Sequence, residues 1–171
     1  MVFVDGTNLF NRLREQSLKL MSLRAITEVA TLGREHARTY IYTTAEKLAR
    51  AKEVHGPQFL QGCRIVLGDS VPLDNGKFRE KGVDALLVAD LVYHAAQKNC
   101  TYAVVISNDS DFAVALKRVE DFGCNTGVVG VCTHAADRLR DSADDYHFLS
   151  AEAMVKEGWA VRFEPPAAAG A

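Results

Sequence analysis

Short apolar runs alternate along this chain with longer stretches in which apolar residues recur every three to four positions. Val2-Phe3-Val4 begins the series, and the runs at 103–106 (Ala-Val-Val-Ile) and 125–131 repeat it. Apolar, β-branched runs without polar alternation predict strands buried on both faces, as in a parallel sheet. Residues 38–43, 63–67 and 146–149 read as further strands. Between these runs, helical spacing predicts helices opening at Asn8 and spanning 23–33, 45–54, 83–97, 112–122, 135–142 and 150–158. The segment 83–97 is apolar on nearly every face, which predicts burial between layers. Strands and helices in regular alternation predict an α/β fold, a mostly parallel sheet with helices on both sides.

Breakers sharpen the boundaries. Gly56-Pro57 stops the third helix, and the polar connection 68–81, with Pro72 and an Asn75-Gly76 turn, predicts a short hairpin arm. No repeat or linker divides the chain, so one domain is expected over 1–163. The Pro/Ala/Gly tail at 164–171 is expected to be disordered.

Two of the buried strands stop abruptly on acids. Residues 107–112, Ser-Asn-Asp-Ser-Asp-Phe, put Asp109 and Asp111 after the fourth strand, and Asp5 follows the first. Ligands of open α/β sheets collect at the carboxyl ends of strands, so acids there stand where chemistry is usually done. A single Asp at such a place is accounted for by a helix cap or a turn; several together call for a cation, and hard oxygen donors suit Mg²⁺ or Mn²⁺. Asp84, near the start of the buried helix, can face the same strand ends. Asp90, six residues on, lies about 120° around the helix axis and ~9 Å along it. It therefore reads as a supporting or structural acid, with His94 as its expected partner.

Charge adds an asymmetry. The 171-residue chain carries a net −2, yet residues 1–52 hold nine basic side chains against five acidic ones, and residues 82–171 hold seven against thirteen. A basic first third can follow phosphates while an acidic remainder holds metal, although solvated faces give such drift as often. The four cysteines, Cys63, Cys100, Cys124 and Cys132, show no Cys-x-x-Cys spacing. They read as reduced core thiols in a cytoplasmic protein, without zinc. There is no leader-like segment and no apolar stretch approaching eighteen residues, so neither export nor a membrane span is expected.

Four motifs in order, Val-Phe-Val-Asp-Gly-Thr-Asn (2–8), Lys-Gly-Val-Asp with Asp90 (81–90), Ser-Asn-Asp-Ser-Asp-Phe (107–112) and Ala-Asp-Asp-Tyr-His-Phe-Leu (143–149), resemble the NYN-domain proteins. The likeness is greatest to their LabA-like group, within the PIN-like nuclease superfamily. That resemblance implies a three-layer α/β/α sandwich with strand order 3-2-1-4-5. It implies a Mg²⁺- or Mn²⁺-dependent ribonuclease in which Asp5, Asp84, Asp109 and Asp111 form the acidic, metal-holding cluster. Asn8, Lys81 and Ser107 would lie beside the carboxylates or the substrate phosphate. The family commonly has Gly where this chain has Asn108, and Asn tolerates positive φ better than most residues.

The reaction expected is hydrolysis of an RNA phosphodiester by water activated on the metal, leaving a 5′-phosphate. Single-stranded RNA is the expected partner, with Arg12, Arg14, Lys77, Arg79 and Lys81 along its backbone, and Asn108 in the substrate-binding turn. A homodimer is compatible with these features. The alternative function is a regulatory RNA- or protein-binding domain of the same fold without turnover. A haloacid-dehalogenase phosphatase needs its Asp-x-Asp directly after strand one, whereas here Thr7 stands two residues after Asp5.

Overall fold

The computed structural model describes residues 1–73 and 78–163. The Asn75-Gly76 turn, Lys77 and the tail 164–171 lie outside the described residues. In chain order the elements are β1 (Val2–Asp5), α1 (Gly6–Glu15), β2 (Leu18–Leu20), α2 (Leu23–Ala30), β3 (Thr39–Thr44), α3 (Ala45–His55), β4 (Cys63–Pro72) and β5 (Phe78–Lys81). There follow α4 (Val83–Ala96), β6 (Tyr102–Ile106), a 3-10 turn (Ser110–Phe112), α5 (Ala113–Glu120), β7 (Asn125–Val131), α6 (Asp137–Arg140), β8 (Asp145–Leu149), α7 (Ala151–Lys156) and β9 (Ala160–Arg162).

Seven strands form one sheet in the order β5-β4-β3-β1-β6-β7-β8. Every pairing is parallel except β4 with β5. The five inner strands from β4 to β7 reproduce the 3-2-1-4-5 order implied by the family resemblance. β1 lies between β3 and β6, the point at which the chain direction across the sheet reverses, so a crevice opens at its carboxyl end.

Alternation along each strand sorts the core into two layers. Val2, Val4, Ile41, Val104, Ile106 and Val129 face α1, α2, α3 and α7, where Leu9, Leu13, Ile26, Leu48 and Met154 meet them. Phe3, Tyr40, Tyr42, Ala103, Val105 and Val128 face α4, α5 and α6, against Leu87, Leu91, Leu116, Val119 and Leu139. Asp5, two residues after Phe3, shares the parity that points to α4 and α5.

β4 continues past its pairing with β3, which ends at Thr44↔Gly68, and Asp69–Pro72 pair instead with β5. The expected hairpin arm is thus a sheet edge that overhangs the carboxyl ends of the strands. Gly82, at φ +79°, turns the chain out of β5 so that α4 begins beside that crevice; the left-handed backbone is cheap there only for glycine.

Several boundaries differ from the expectation. The helix expected over 23–33 ends at Ala30, because Leu32 and Gly33 both take left-handed backbone. The helix expected over 112–122 is split into the 3-10 turn and α5, and that over 135–142 shrinks to Asp137–Arg140. β2 and β9 were not expected. They form a separate antiparallel pair, Leu18↔Arg162 to Leu20↔Ala160, each too short to show a period. Through β9 the chain beyond residue 150 is tied back to α1 and β2.

Candidate acidic site at the carboxyl ends of β1 and β6

The site begins with the way α1 starts. Asp5 is the N-cap, its Oδ1 accepting from the backbone N–H of Asn8 at 3.0 Å. Gly6 follows because a Cβ there would stand 2.8 Å from the Tyr42 carbonyl oxygen. The helix can therefore leave β1 directly against β3. The other oxygen of Asp5, Oδ2, accepts from Ser107 Oγ at 2.9 Å, and the Ser107 hydroxyl oxygen accepts from the backbone N–H of Asp109 at 3.1 Å. Asn8 Oδ1 accepts from the backbone N–H of Asn108 at 3.2 Å. Two rungs thus lock the end of β1 to the end of β6. Asp109 is in turn the cap of the 3-10 turn, with its Oδ1 accepting from Asp111 N–H at 3.0 Å. Capping uses one oxygen of a carboxylate, so a cap and a ligand are not exclusive readings of Asp5 or Asp109.

Asp5 is only 5% exposed, whereas Asp84, Asp109 and Asp111 open to solvent. Burial pushes the pKa of Asp5 up to about 6, held back by its bonds from Asn8 and Ser107 and raised further by the charges of Asp84 and Asp109. Asp84 is also raised, first by partial loss of water around its carboxyl and then by the charges of Asp109, Glu80 and Asp111; Lys47 acts in the opposite direction. Asp5, Asp84, Asp109 and Asp111 therefore lie in one electrostatic field although they come from three segments of the chain. Among the described residues, no group of three or more His, Cys, Asp or Glu side chains stands close enough together to hold a metal ion.

A polar chain missed by sequence reasoning runs along one side. Thr7 Oγ1 donates to Glu80 at 2.6 Å, and Lys47 Nζ pairs with the other oxygen of Glu80 at 2.8 Å. Glu80 lies on the return strand of the arm, where its neighbours Arg79 and Lys81 alternate to the opposite face. Both are exposed, and Lys81 lines an open cavity of about 460 Å³ with Asp69 and Leu86. Only the residue alternation within β5 could have signalled that Glu80, not its basic neighbours, turns inward.

The remaining candidates separate. Arg12 pairs with Glu15 at 2.9 Å and lies near Cys132 beyond the end of β7. Arg14 faces α3 instead. Asn108 is buried and does not take a left-handed backbone. Its amide is occupied in bracing the loop after β7: Nδ2 donates to the Thr133 carbonyl at 2.5 Å and to Thr133 Oγ1 at 3.0 Å, and Oδ1 accepts from Val131 N–H at 3.4 Å. The concern that this position needs glycine is thereby removed. Asp90 accepts from Tyr42 OH at 3.0 Å, whereas His94, its expected partner, pairs with Asn99. A cavity of about 680 Å³ lies around Thr39 and Cys63 at the amino ends of β3 and β4, away from these acids.

Fold and site together define a three-layer α/β/α protein, a mostly parallel seven-stranded sheet flanked by helices, with an acidic crevice at the carboxyl ends of its central strands. The chain belongs to the NYN domain family, whose model matches residues 1–150. That family includes ribonucleases of the PIN-like superfamily, so a nuclease-like hydrolase is the class to which the fold and site point. Among curated proteins, the uncharacterized protein y4oD of Sinorhizobium fredii is 33% identical over 57 residues. The matched segment is 33% of this chain and spans about a quarter (27%) of that relative. A solved protein of unknown function from Vibrio parahaemolyticus, 20% identical, shares the fold with a TM-score of 0.69 over 88% of this chain and 92% of its own. No helix among the described residues is long and apolar enough to cross a membrane.

Proposed function

We propose that this domain hydrolyses phosphodiester bonds of single-stranded RNA with the help of Mg²⁺ or Mn²⁺ held by Asp5, Asp84, Asp109 and Asp111. The observation that carries the reading is the shared field of these acids around a buried Asp5, in a chain of the NYN family. The donors are all hard carboxylate oxygens, and their mutual repulsion is what a divalent cation offsets. The three acids beside Asp5 are exposed, and the capping bond of Asp109 uses only its Oδ1, which leaves Oδ2 for an ion. Once bound, such an ion polarises a phosphoryl oxygen and acidifies water.

The protein's own part is positional. Ser107 holds Asp5 and the Asp109 turn in one frame, Asn8 fixes the neighbouring peptide, and Lys47 balances part of the acid charge through Glu80. Within the family we assign the chain to the LabA-like group on its Lys-Gly-Val-Asp (81–84) and Ser-Asn-Asp-Ser-Asp (107–111) motifs. The functional domain is taken as residues 1–163, because β9 completes a strand pair with β2. A cytoplasmic setting suits four cysteines that are all unpaired thiols.

The test is Mn²⁺-dependent cleavage of a labelled single-stranded RNA. Wild type is expected to cut, and Asp109→Ala to lose at least a hundredfold in rate. Equal cleavage by the two proteins overturns the reading. Binding of Mn²⁺ without turnover on any RNA would favour a regulatory domain instead.

A further inference from the structure

Beside the acidic crevice, α1 and α3 leave a groove of about 340 Å³, a volume on the scale of small-molecule sites. Two helical faces supply most of its lining, Phe10, Asn11 and Arg14 from α1 and Lys47, Arg50 and the acidic Glu53 from α3, with Leu18 and Phe163 beside them. The helical positions follow the three-to-four spacing of a single helix face. Lys47 is the shared element, since it lines the groove while its Nζ pairs with Glu80 at the edge of the acid site.

Three features of the groove point to a ligand. Arg14 and Arg50 are exposed and have no ion-pair partner among the described residues. Phe10 is half-buried, edge-on to Phe59 at 5.9 Å and tilted against His55 at 6.2 Å, and its open part lines the cavity. His55 is 8% exposed, and its Nδ1 accepts from the backbone N–H of Leu20 at 3.1 Å. Accepting there places the proton of the neutral ring on Nε2. Burial and the charge of Lys19 lower its pKa to about 4, so the ring stays neutral at ordinary pH. Among the described residues Nε2–H makes no hydrogen bond, and His55 is one of the residues that line the groove.

Guanidiniums, an aromatic face and an imidazole N–H donor lining one small groove match the parts of a nucleotide: phosphate, base face and base edge. We propose that the α1–α3 groove is a nucleotide subsite for the RNA strand whose phosphodiester lies at the acids. Phe10 stacks a base, His55 Nε2–H donates to an acceptor on its edge, and Arg14 and Arg50 take the flanking phosphates. The inference rests on the proposed RNA reading and adds to it where the strand runs.

The test uses the full chain with chelator present, so that binding is read without cleavage. A ten-nucleotide single-stranded RNA carrying one 4-thiouridine is photocrosslinked and the labelled peptides are mapped; attachment within α1 at Phe10 or within α3 is expected. By fluorescence anisotropy, the Arg14→Ala/Arg50→Ala double variant should bind at least tenfold more weakly, with the salt slope reduced by about 1.4. Phe10→Leu should weaken binding about fivefold or more with the slope unchanged. Thermal melting controls for folding, and the exposed arginines carry the test if Phe10→Leu unfolds. Unchanged affinity of the double variant, crosslinks confined to other elements, or equal competition by poly-glutamate overturns the subsite. RNA that crosslinks in the groove yet is never cut with Mn²⁺ overturns the hydrolase reading alone. RNA cut at wild-type rates by all groove variants overturns the subsite alone.

Discussion

Ser107 Oγ donates to Asp5 Oδ2 at 2.9 Å across 102 residues of sequence, and the same hydroxyl accepts from the Asp109 backbone. One side chain thus ties the Asp5 carboxylate to the turn after β6, beside the β1–β6 pairing and the Asn8 rung. A hydrogen bond to a charged group contributes about 1.5–3 kcal/mol. Ser107→Ala is expected to cost about 2 kcal/mol by chemical denaturation and to push the Asp5 pKa higher still. Cleavage should fall at least tenfold, because Asp5 and Asp109 lose their common reference.

The raised pKa of Asp5 makes stability depend on pH with a definite sign. A carboxyl whose folded pKa lies above its unfolded value, about 3.9, favours the folded state while it is protonated. That contribution is fully present below about pH 4 and is lost as pH rises through about 6. At about 1.4 kcal/mol per tenfold change in proton affinity, burying the anion costs ~3 kcal/mol. Asp5→Asn should therefore be more stable than wild type by about 1–3 kcal/mol at pH 7.5 without divalent ions, and the difference should vanish near pH 4. Denaturation curves at the two pH values check it.

Mn²⁺ is expected to raise the wild-type melting temperature by binding only the folded state, by about 2.7 kcal/mol at a hundredfold excess over its dissociation constant. The gain should shrink below about pH 6, where Asp5 takes up its proton. It should be largely lost in Asp109→Ala. Scanning calorimetry with and without Mn²⁺ at pH 5 and 7.5 measures both effects.

Asn108→Gly restores the residue common in the family, yet it is expected to harm this protein. The backbone at 108 needs no glycine, and the amide that braces Val131 and Thr133 would be removed. Loss of these buried bonds predicts a destabilisation of about 1–3 kcal/mol. Urea denaturation and a cleavage assay should show lower stability and no gain in rate.

Gly6→Ala places a methyl group 2.8 Å from the Tyr42 carbonyl oxygen, a backbone atom that cannot swing away. Overpacking of this kind costs about 1–3 kcal/mol. The start of α1 should shift with it, so amide exchange at Asn8, whose N–H bonds Asp5, should speed up.

The buried strands, the alternation of helix and strand, and acids at the ends of β1 and β6 were all legible in the sequence, because each is written in a local period or run. The strand 125–131 matched residue for residue. The three-residue strands β2 and β9 escaped, being shorter than any period, and the helix expected over 135–142 is the single turn α6. Side-chain partners across long separations escaped as well. Asp90 reaches Tyr42 on β3 instead of His94 on its own helix, and Arg12 and Arg14 diverge because two residues turn a helix by about 200°.

For the Ser-Asn-Asp-Ser-Asp stretch at 107–111, the sequence by itself determined that two acids follow a buried strand, and left open whether they cap or bind. Tertiary structure decided that Asp109 caps while sharing a field with Asp5 and Asp84, and that Asn108 braces a loop. It also set Glu80 and Lys47 beside the acids and opened the α1–α3 groove. The physical reason is that periodicity reports which face of an element is buried. Which face of another element it meets is fixed only when strands 100 residues apart take their places in the sheet.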